Sequence, residues 1–176
     1  MPISGPDWVR QFPQSNSVDD LADSFRDNVN RFLSALSDAG ATVSIAATLR
    51  PPERAYLMHY SFLIARGGAD PSAVPAMPGV DIQWNHDEAK AAAEAMVQAY
   101  DIVFRPALAS RHTQGLAIDM DIAWQGALTI EYLHGATATI ASLPRNGGNS
   151  ALQAVGNSYG VKKLATDPPH WSSDGH

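Results

Sequence analysis

The segment Ser110-Arg111-His112-Thr113-Gln114-Gly115-Leu116-Ala117-Ile118-Asp119 sets an imidazole and a carboxylate seven residues apart, and a second imidazole follows in Asp167-Pro168-Pro169-His170-Trp171. Two histidines and one carboxylate are a familiar protein complement for catalytic Zn²⁺, because they leave a tetrahedral position open for water. His112, Asp119 and His170 are therefore candidate metal ligands, and the chemistry they point to is metal-assisted hydrolysis. The plainer alternative is a loop histidine beside a solvated strand carboxylate. A bare His-x6-Asp spacing does not choose between the two.

The surrounding pattern predicts how such ligands would be carried. Leu116, Ile118, Met120 and Ile122 alternate with Ala117, Asp119, Asp121 and Ala123, the period of a strand with one apolar face on a core. Asp119 then points away from the core, and Asp121 competes with it from the same face. Gly115 lets the chain bend between a loop-borne His112 and the strand, since glycine tolerates backbone angles closed to other residues.

Ser-x-His-x-x-Gly-x-Ala-x-Asp stands here as Ser110, His112, Gly115, Ala117 and Asp119, and a downstream acid-x-x-His element stands as Asp167 and His170. Together they resemble the M15 family of zinc peptidases. That family comprises D-Ala-D-Ala carboxypeptidases and dipeptidases and the phage L-alanyl-D-glutamate endolysins, and it shares a metal centre and fold with the Hedgehog signalling domain. Ala47-Thr48-Leu49-Arg50-Pro51-Pro52-Glu53 is similar to the family's strand-end Tyr-Arg-Ser-Pro-Glu, with Leu49 and Pro51 departing from Tyr and Ser and the arginine retained. The three elements bracket residues 47–171.

The resemblance implies Zn²⁺ held by His112, Asp119 and His170, and its spacing selects Asp119 over Asp121. It makes Asp167 the general base, where the competing role is a turn-forming residue before two prolines. It gives Arg50 a substrate carboxylate or an oxyanion to bind, tasks suited to a planar guanidinium, against a simple pairing with Glu53. Ser110 would hydrogen-bond near the substrate or the metal shell, although loop serines also cap backbone groups. Trp171 would line the cleft, and Trp84 either lines it or folds onto the core. The implied substrate is a peptidoglycan stem peptide. Asp rather than Glu at position 167, in a small domain, resembles the L-alanyl-D-glutamate endolysins more than the D-Ala-D-Ala carboxypeptidases. A Hedgehog-type binding module without turnover is the alternative of another class, and retention of Asp167 argues against it. A hydrolase with the same centre acting on an unrelated peptide is a third reading.

Composition bounds these expectations. With 176 residues and 45% apolar content the chain suits one catalytic domain, expected over residues 18–176 behind an irregular N-terminal arm of residues 1–17, and a monomer is expected. A net charge of −6 argues against nucleic acid or an anionic membrane surface as the main partner. With no cysteine, neither a disulfide framework nor a thiolate metal site can form. The first residues carry no basic and apolar leader pattern, and no run is long enough to span a bilayer. Action at the cell wall or periplasm would then need a holin, a secretion system or another export route.

Along the chain, Ser17 is placed as an N-cap with Asp19 and Asp20 in a first turn, and Leu21, Phe25, Val29, Phe32, Leu33 and Leu36 continue at helical spacing to Gly40. Residues 42–49 predict a buried strand, and Pro51-Pro52 opens a helix to about residue 66. Residues 67–85 predict a long loop, and 86–100 an alanine-rich helix. Residues 116–123 and 127–132 predict a hairpin around Gln125-Gly126, 149–159 a short helix stopped by Gly160, and 161–165 the last strand. The order suggests an α+β domain, a small, mainly antiparallel sheet with helices packed against it, as in the Hedgehog/DD-peptidase fold. His59, His86 and His134 fall outside the motifs and are expected as packed, surface or turn residues.

Overall fold

Helical spacing and strand alternation resolve into an α+β fold in a computed structural model that describes all 176 residues, Met1–His176. The elements run in the order α1 (Asp23–Asp38), β1 (Thr42–Ala47), α2 (Pro52–Ala65), α3 (Ala89–Ala99), β2 (Ala117–Ala123), β3 (Leu128–Glu131), β4 (Thr137–Ile140), α4 (Ser150–Ser158), β5 (Lys162–Lys163) and β6 (His170–Ser172). The chain packs as two units, one of Ser15–Leu49 with Gln114–His176 and the other of Met1–Gln14 with Arg50–Thr113.

The first of these contains the sheet. Its strands lie in the order β1-β2-β6-β5, with every neighbouring pair antiparallel. Helix α1 buries Phe25, Val29, Phe32 and Leu36, a 4-3-4 spacing that keeps them on one face. Each such side chain contributes roughly 1.5–3 kcal/mol relative to exposure. They join Ile118, Met120 and Ile122 of β2, together with Leu152, Val155 and Trp171, in one apolar core. Trp171 packs against Phe32 at 5.7 Å between ring centroids. Gly156 of α4 permits this, because a Cβ there would meet Trp171 and the Val161 carbonyl at 2.8 Å each.

Helix α1 begins later than the Ser17 cap suggests. The Ser17 hydroxyl does accept the Asp19 N–H, but it caps only a 3-10 turn over Val18–Asp20. The chain then straightens so that the Ala22 N–H can donate to the Gly115 carbonyl at 2.9 Å. Gly115 has φ +68, and a Cβ on it would lie 2.9 Å from the Ala22 nitrogen, so both conformation and contact require glycine.

The predicted hairpin of residues 116–132 is corrected. Strand β2 takes β1 and β6 as neighbours, whereas β3 pairs with β4 through a turn closed by Tyr132 N–H to the Ala136 carbonyl. Gly126 does turn the chain, with φ +65, but it directs β3 to a partner whose Thr-Ala-Thr-Ile sequence carries little apolar alternation. The expected last strand shrinks to the two residues of β5, and β6 follows it as a strand the sequence reading did not predict. Two prolines precede it, and they read as breakers. Pro169 nevertheless lies just outside β6, and its carbonyl accepts the Met120 N–H at 2.9 Å.

The second unit is built on α2 and α3, whose Tyr56, Leu57, Ile64, Met96 and Val97 form its core with Trp8, Val80, Ile82 and Trp84. Residues 1–17 are not an irregular arm. Pro6–Arg10 forms a 3-10 turn with Trp8 buried in this core, and the Trp8 indole donates to the Ile3 carbonyl at 3.0 Å. Trp84 is a core residue here, and its indole donates to the Tyr56 hydroxyl at 3.0 Å. No helix is long and apolar enough to cross a membrane.

Candidate metal site

Asp119 and His170 are register partners across the antiparallel β2–β6 ladder. Directly opposed residues project to the same side of a sheet and come within reach of one another. The result is a contact of 3.0 Å between His170 Nδ1 and Asp119 Oδ1. Asp121 lies two residues along on the same strand face, but it is exposed and stands opposite Ser44 of β1. Register with β6 therefore brings Asp119, and not Asp121, to the histidine.

His112 comes from a turn. The Ser110 N–H donates to Thr113 Oγ1 at 2.8 Å, the Thr113 hydroxyl donates to the Ser110 carbonyl at 2.8 Å, and the Thr113 N–H donates to Ser110 Oγ at 3.3 Å. These reciprocal bonds close a four-residue loop around His112. The Arg50 N–H adds a bond of 3.0 Å to the His112 carbonyl. His112 is 6% exposed and His170 7%, so both residues are withdrawn from water. Ligand atoms of His112, Asp119 and His170 all lie within 4.8 Å of one another, and the group can hold a metal ion.

The donor set, two imidazoles and a carboxylate, suits a divalent metal ion. Nitrogen and oxygen ligands on a tetrahedral metal, bonded at about 2.0–2.2 Å, lie roughly 3.4 Å apart. His170 Nδ1 and Asp119 Oδ1 are already close to that separation. His170 Nε2 meets the His176 main-chain oxygen at 3.2 Å, and that oxygen can only accept, so Nε2 carries a proton. Nδ1 faces the Asp119 carboxylate, another acceptor, so a proton or a cation must lie between the two. The hydrogen bond to Asp119 raises the His170 pKa, partial burial opposes this, and the His176 main-chain oxygen and the charges of Asp119 and Asp167 add to the rise. Orientation of a ligating histidine through its second nitrogen is usual at metal centres.

Ser172, fully buried, shapes the segment that supplies this oxygen. Its hydroxyl accepts the N–H groups of Gly175 at 2.8 Å and His176 at 3.0 Å. Sequence reasoning passed over Ser172, His176 and Thr113. Only Thr113 left a signal, the Ser-x-x-Thr spacing that allows reciprocal capping.

The remaining candidates fall in different places. Asp167 is exposed on the turn before β6, outside the three-residue group, though near enough to act electrostatically on His170. Arg50 sits at the junction between β1 and α2, with its Nε 3.5 Å from the Gln14 side-chain oxygen. The Ser110 hydroxyl is engaged with the Thr113 backbone, the capping role. Trp171 is 0% exposed and belongs to the core, so the expectation that it lines a cleft is corrected. Its neighbour His170 faces the opposite side of β6, as alternation requires. His59 Nδ1 bonds the Pro106 carbonyl at 2.7 Å, His86 Nε2 meets the Ser4 hydroxyl at 2.8 Å, and His134 is an exposed turn residue. No protein-family model matches the chain, and no curated protein matches it.

Proposed function

We propose that this chain is a zinc-dependent peptidase that hydrolyses peptidoglycan stem peptides, with the Hedgehog/DD-peptidase fold and the residue roles of the M15 zinc peptidases. The observation that carries the reading is the convergence of His112, Asp119 and His170 within 4.8 Å. Zinc held by these three residues would supply Lewis-acid activation of water and of a carbonyl oxygen. Asp167, three residues before His170, is the proposed base. Its carboxylate takes the proton of water as that water adds to the peptide carbonyl, and returns it to the leaving nitrogen. Arg50 is assigned a carboxylate of the stem peptide, which its planar fork suits. The bond assigned is L-Ala-D-Glu, on the Asp at position 167. The place of action is the cell wall or periplasm, reached by a holin, a secretion system or another route.

Digestion of purified sacculi by the zinc-loaded protein, followed by mass spectrometry, tests the proposal. Peptides beginning with D-Glu are expected. Release of free D-Ala alone would reassign the bond to a D-Ala-D-Ala carboxypeptidase, and zinc binding without any release would favour a Hedgehog-like binding module. Asp167→Ala is expected to retain metal and fold and to lose about 10²–10⁴-fold in hydrolysis. Near-wild-type turnover in that variant would return Asp167 to the role of a turn residue.

A further inference from the structure

The six residues between β5 and β6, numbers 164–169, carry Asp167 and deliver His170, and their backbone closes on itself in an unusual way. Leu164 N–H donates to the His170 carbonyl at 3.1 Å, Asp167 N–H to the Leu164 carbonyl at 3.3 Å, and His170 N–H to the Asp167 carbonyl at 3.1 Å. Residues 164, 167 and 170 thus form a closed ring of three hydrogen bonds in which each gives one N–H and each accepts one. Every carbonyl of the ring keeps a second lone pair.

All three of those lone pairs converge on one side chain. Lys163 Nζ donates to the Leu164 carbonyl at 2.5 Å, to the His170 carbonyl at 3.2 Å, and to the Asp167 carbonyl. An ammonium has three N–H donors and no acceptor, so three carbonyls saturate it. The stem is half-buried, and Nζ lies 5.9 Å from the Trp171 ring centroid, which places apolar surface beneath the charge. Pro168 and Pro169 stiffen the same turn and have no N–H of their own to offer those oxygens. A guanidinium would not substitute, since its donors lie in a plane and cannot meet three convergent acceptors as a compact ammonium does.

We infer that Lys163 is a positioning residue, an internal cation that plugs the carbonyl ring of residues 164, 167 and 170 and so fixes the Asp167 and His170 side chains for the site. This rests on the assignment of those two residues to the metal site, but the ring and its plug are testable without metal. The chain has no cysteine, so Lys163→Cys introduces a unique thiol. Alkylation in denaturant with 2-bromoethylamine restores an ammonium of nearly the length of lysine, whereas iodoacetamide leaves a neutral amide of similar size.

After refolding, amide hydrogen exchange at Leu164, Asp167 and His170 in metal-free protein reads the ring, and competition with a chelator reads zinc affinity. The aminoethylated protein is expected to match wild type in both. The neutral adduct is expected to exchange about tenfold faster or more at those three amides, as loss of a hydrogen bond to a charged group implies. Its zinc affinity should fall about 10–100-fold, the usual effect of losing an outer support. If the neutral adduct does not refold and the aminoethylated one does, the ammonium requirement is established in stronger form. Equal exchange in the two adducts overturns the proposal, as does faster exchange with unchanged zinc affinity. Failure of wild type to bind zinc would instead sink the metal reading, and the exchange arm would still decide the plug.

Discussion

Two regions deliver metal-type ligands by different physical means. Asp119 and His170 face each other because two strands are in register, and the backbone ladder itself sets their 3.0 Å contact. His112 is carried by a four-residue turn whose shape depends on one hydroxyl pair, Ser110 with Thr113, and on the glycine that follows. A ladder distributes its restraint over several backbone bonds, and a turn concentrates it in a few side-chain atoms. Substitutions near the ladder should therefore disturb ligand geometry only when they change a ligand or the ring that feeds β6. Near the turn, a single methyl or hydroxyl should be enough.

The largest effect in both regions is expected from the ligands themselves. His112→Ala and His170→Ala should each weaken zinc binding by more than the roughly 10–100-fold that loss of a supporting residue costs. In the metal-free state His170→Ala removes a contact made across the β2–β6 ladder and should lower the melting temperature, and His112→Ala, which keeps the bonds of its turn but empties a buried position, should lower it as well. Elemental analysis and thermal melts of chelated protein measure both. Stoichiometric metal in either variant would remove that residue from the ligand set.

Next in size is Gly115→Ala. The residue must adopt φ +68 with its Cβ 2.9 Å from the Ala22 nitrogen, so strain and collision add. A loss of about 2–3 kcal/mol is expected in denaturant unfolding. Gly126→Ala is the matched comparison, because φ is +65 there and nothing lies within 4 Å of a new Cβ. It should cost about 1 kcal/mol. Equal losses at the two sites would show that the approach of Ala22 is not what constrains the turn.

Thr113→Val should cost about 1–2 kcal/mol, since it removes one hydroxyl that both accepts the Ser110 N–H and donates to the Ser110 carbonyl. The β-branched shape is kept, so the change reports hydrogen bonding. Zinc affinity should fall with it, although neither atom belongs to a ligand. Unchanged affinity in a destabilised variant would mean that the turn serves the fold alone.

What was legible in the sequence follows the same division. Strand β2 and the faces of its residues could be read from strict alternation over residues 116–123, and α1 from its apolar stripe, because both patterns express burial directly. The partner of β2 could not. Pairing is set by long-range register, and β6 is a three-residue strand whose preceding prolines argue locally against any strand. The same prolines hid the 164-167-170 ring, which exists only as backbone geometry and leaves no residue signature beyond Lys163. Trp171 misled for a related reason. Adjacency to His170 suggested a shared site, but strand alternation sends neighbours to opposite faces, and the core takes the indole.

The smallest effect is a change of sign with pH, and it bears on the ladder alone. In metal-free protein the hydrogen bond to Asp119 raises the His170 pKa against partial burial. A group protonated more readily when folded contributes stability that is fully present below its unfolded pKa, about 6.5, and is lost as pH rises through the folded value. Metal-free protein should therefore melt at progressively lower temperature as pH increases over that window. Zinc-loaded protein should show the opposite slope, because a ligating imidazole must be deprotonated and metal binding releases protons. Asp119→Asn removes the first cause of the shift and should flatten the metal-free curve. Melting curves across about pH 6 to 8, with and without chelator, decide the matter. A metal-free protein whose melting temperature holds constant or climbs through this range would mean that the His170–Asp119 contact is made by neutral partners, and the case for a cation at Nδ1 would vanish.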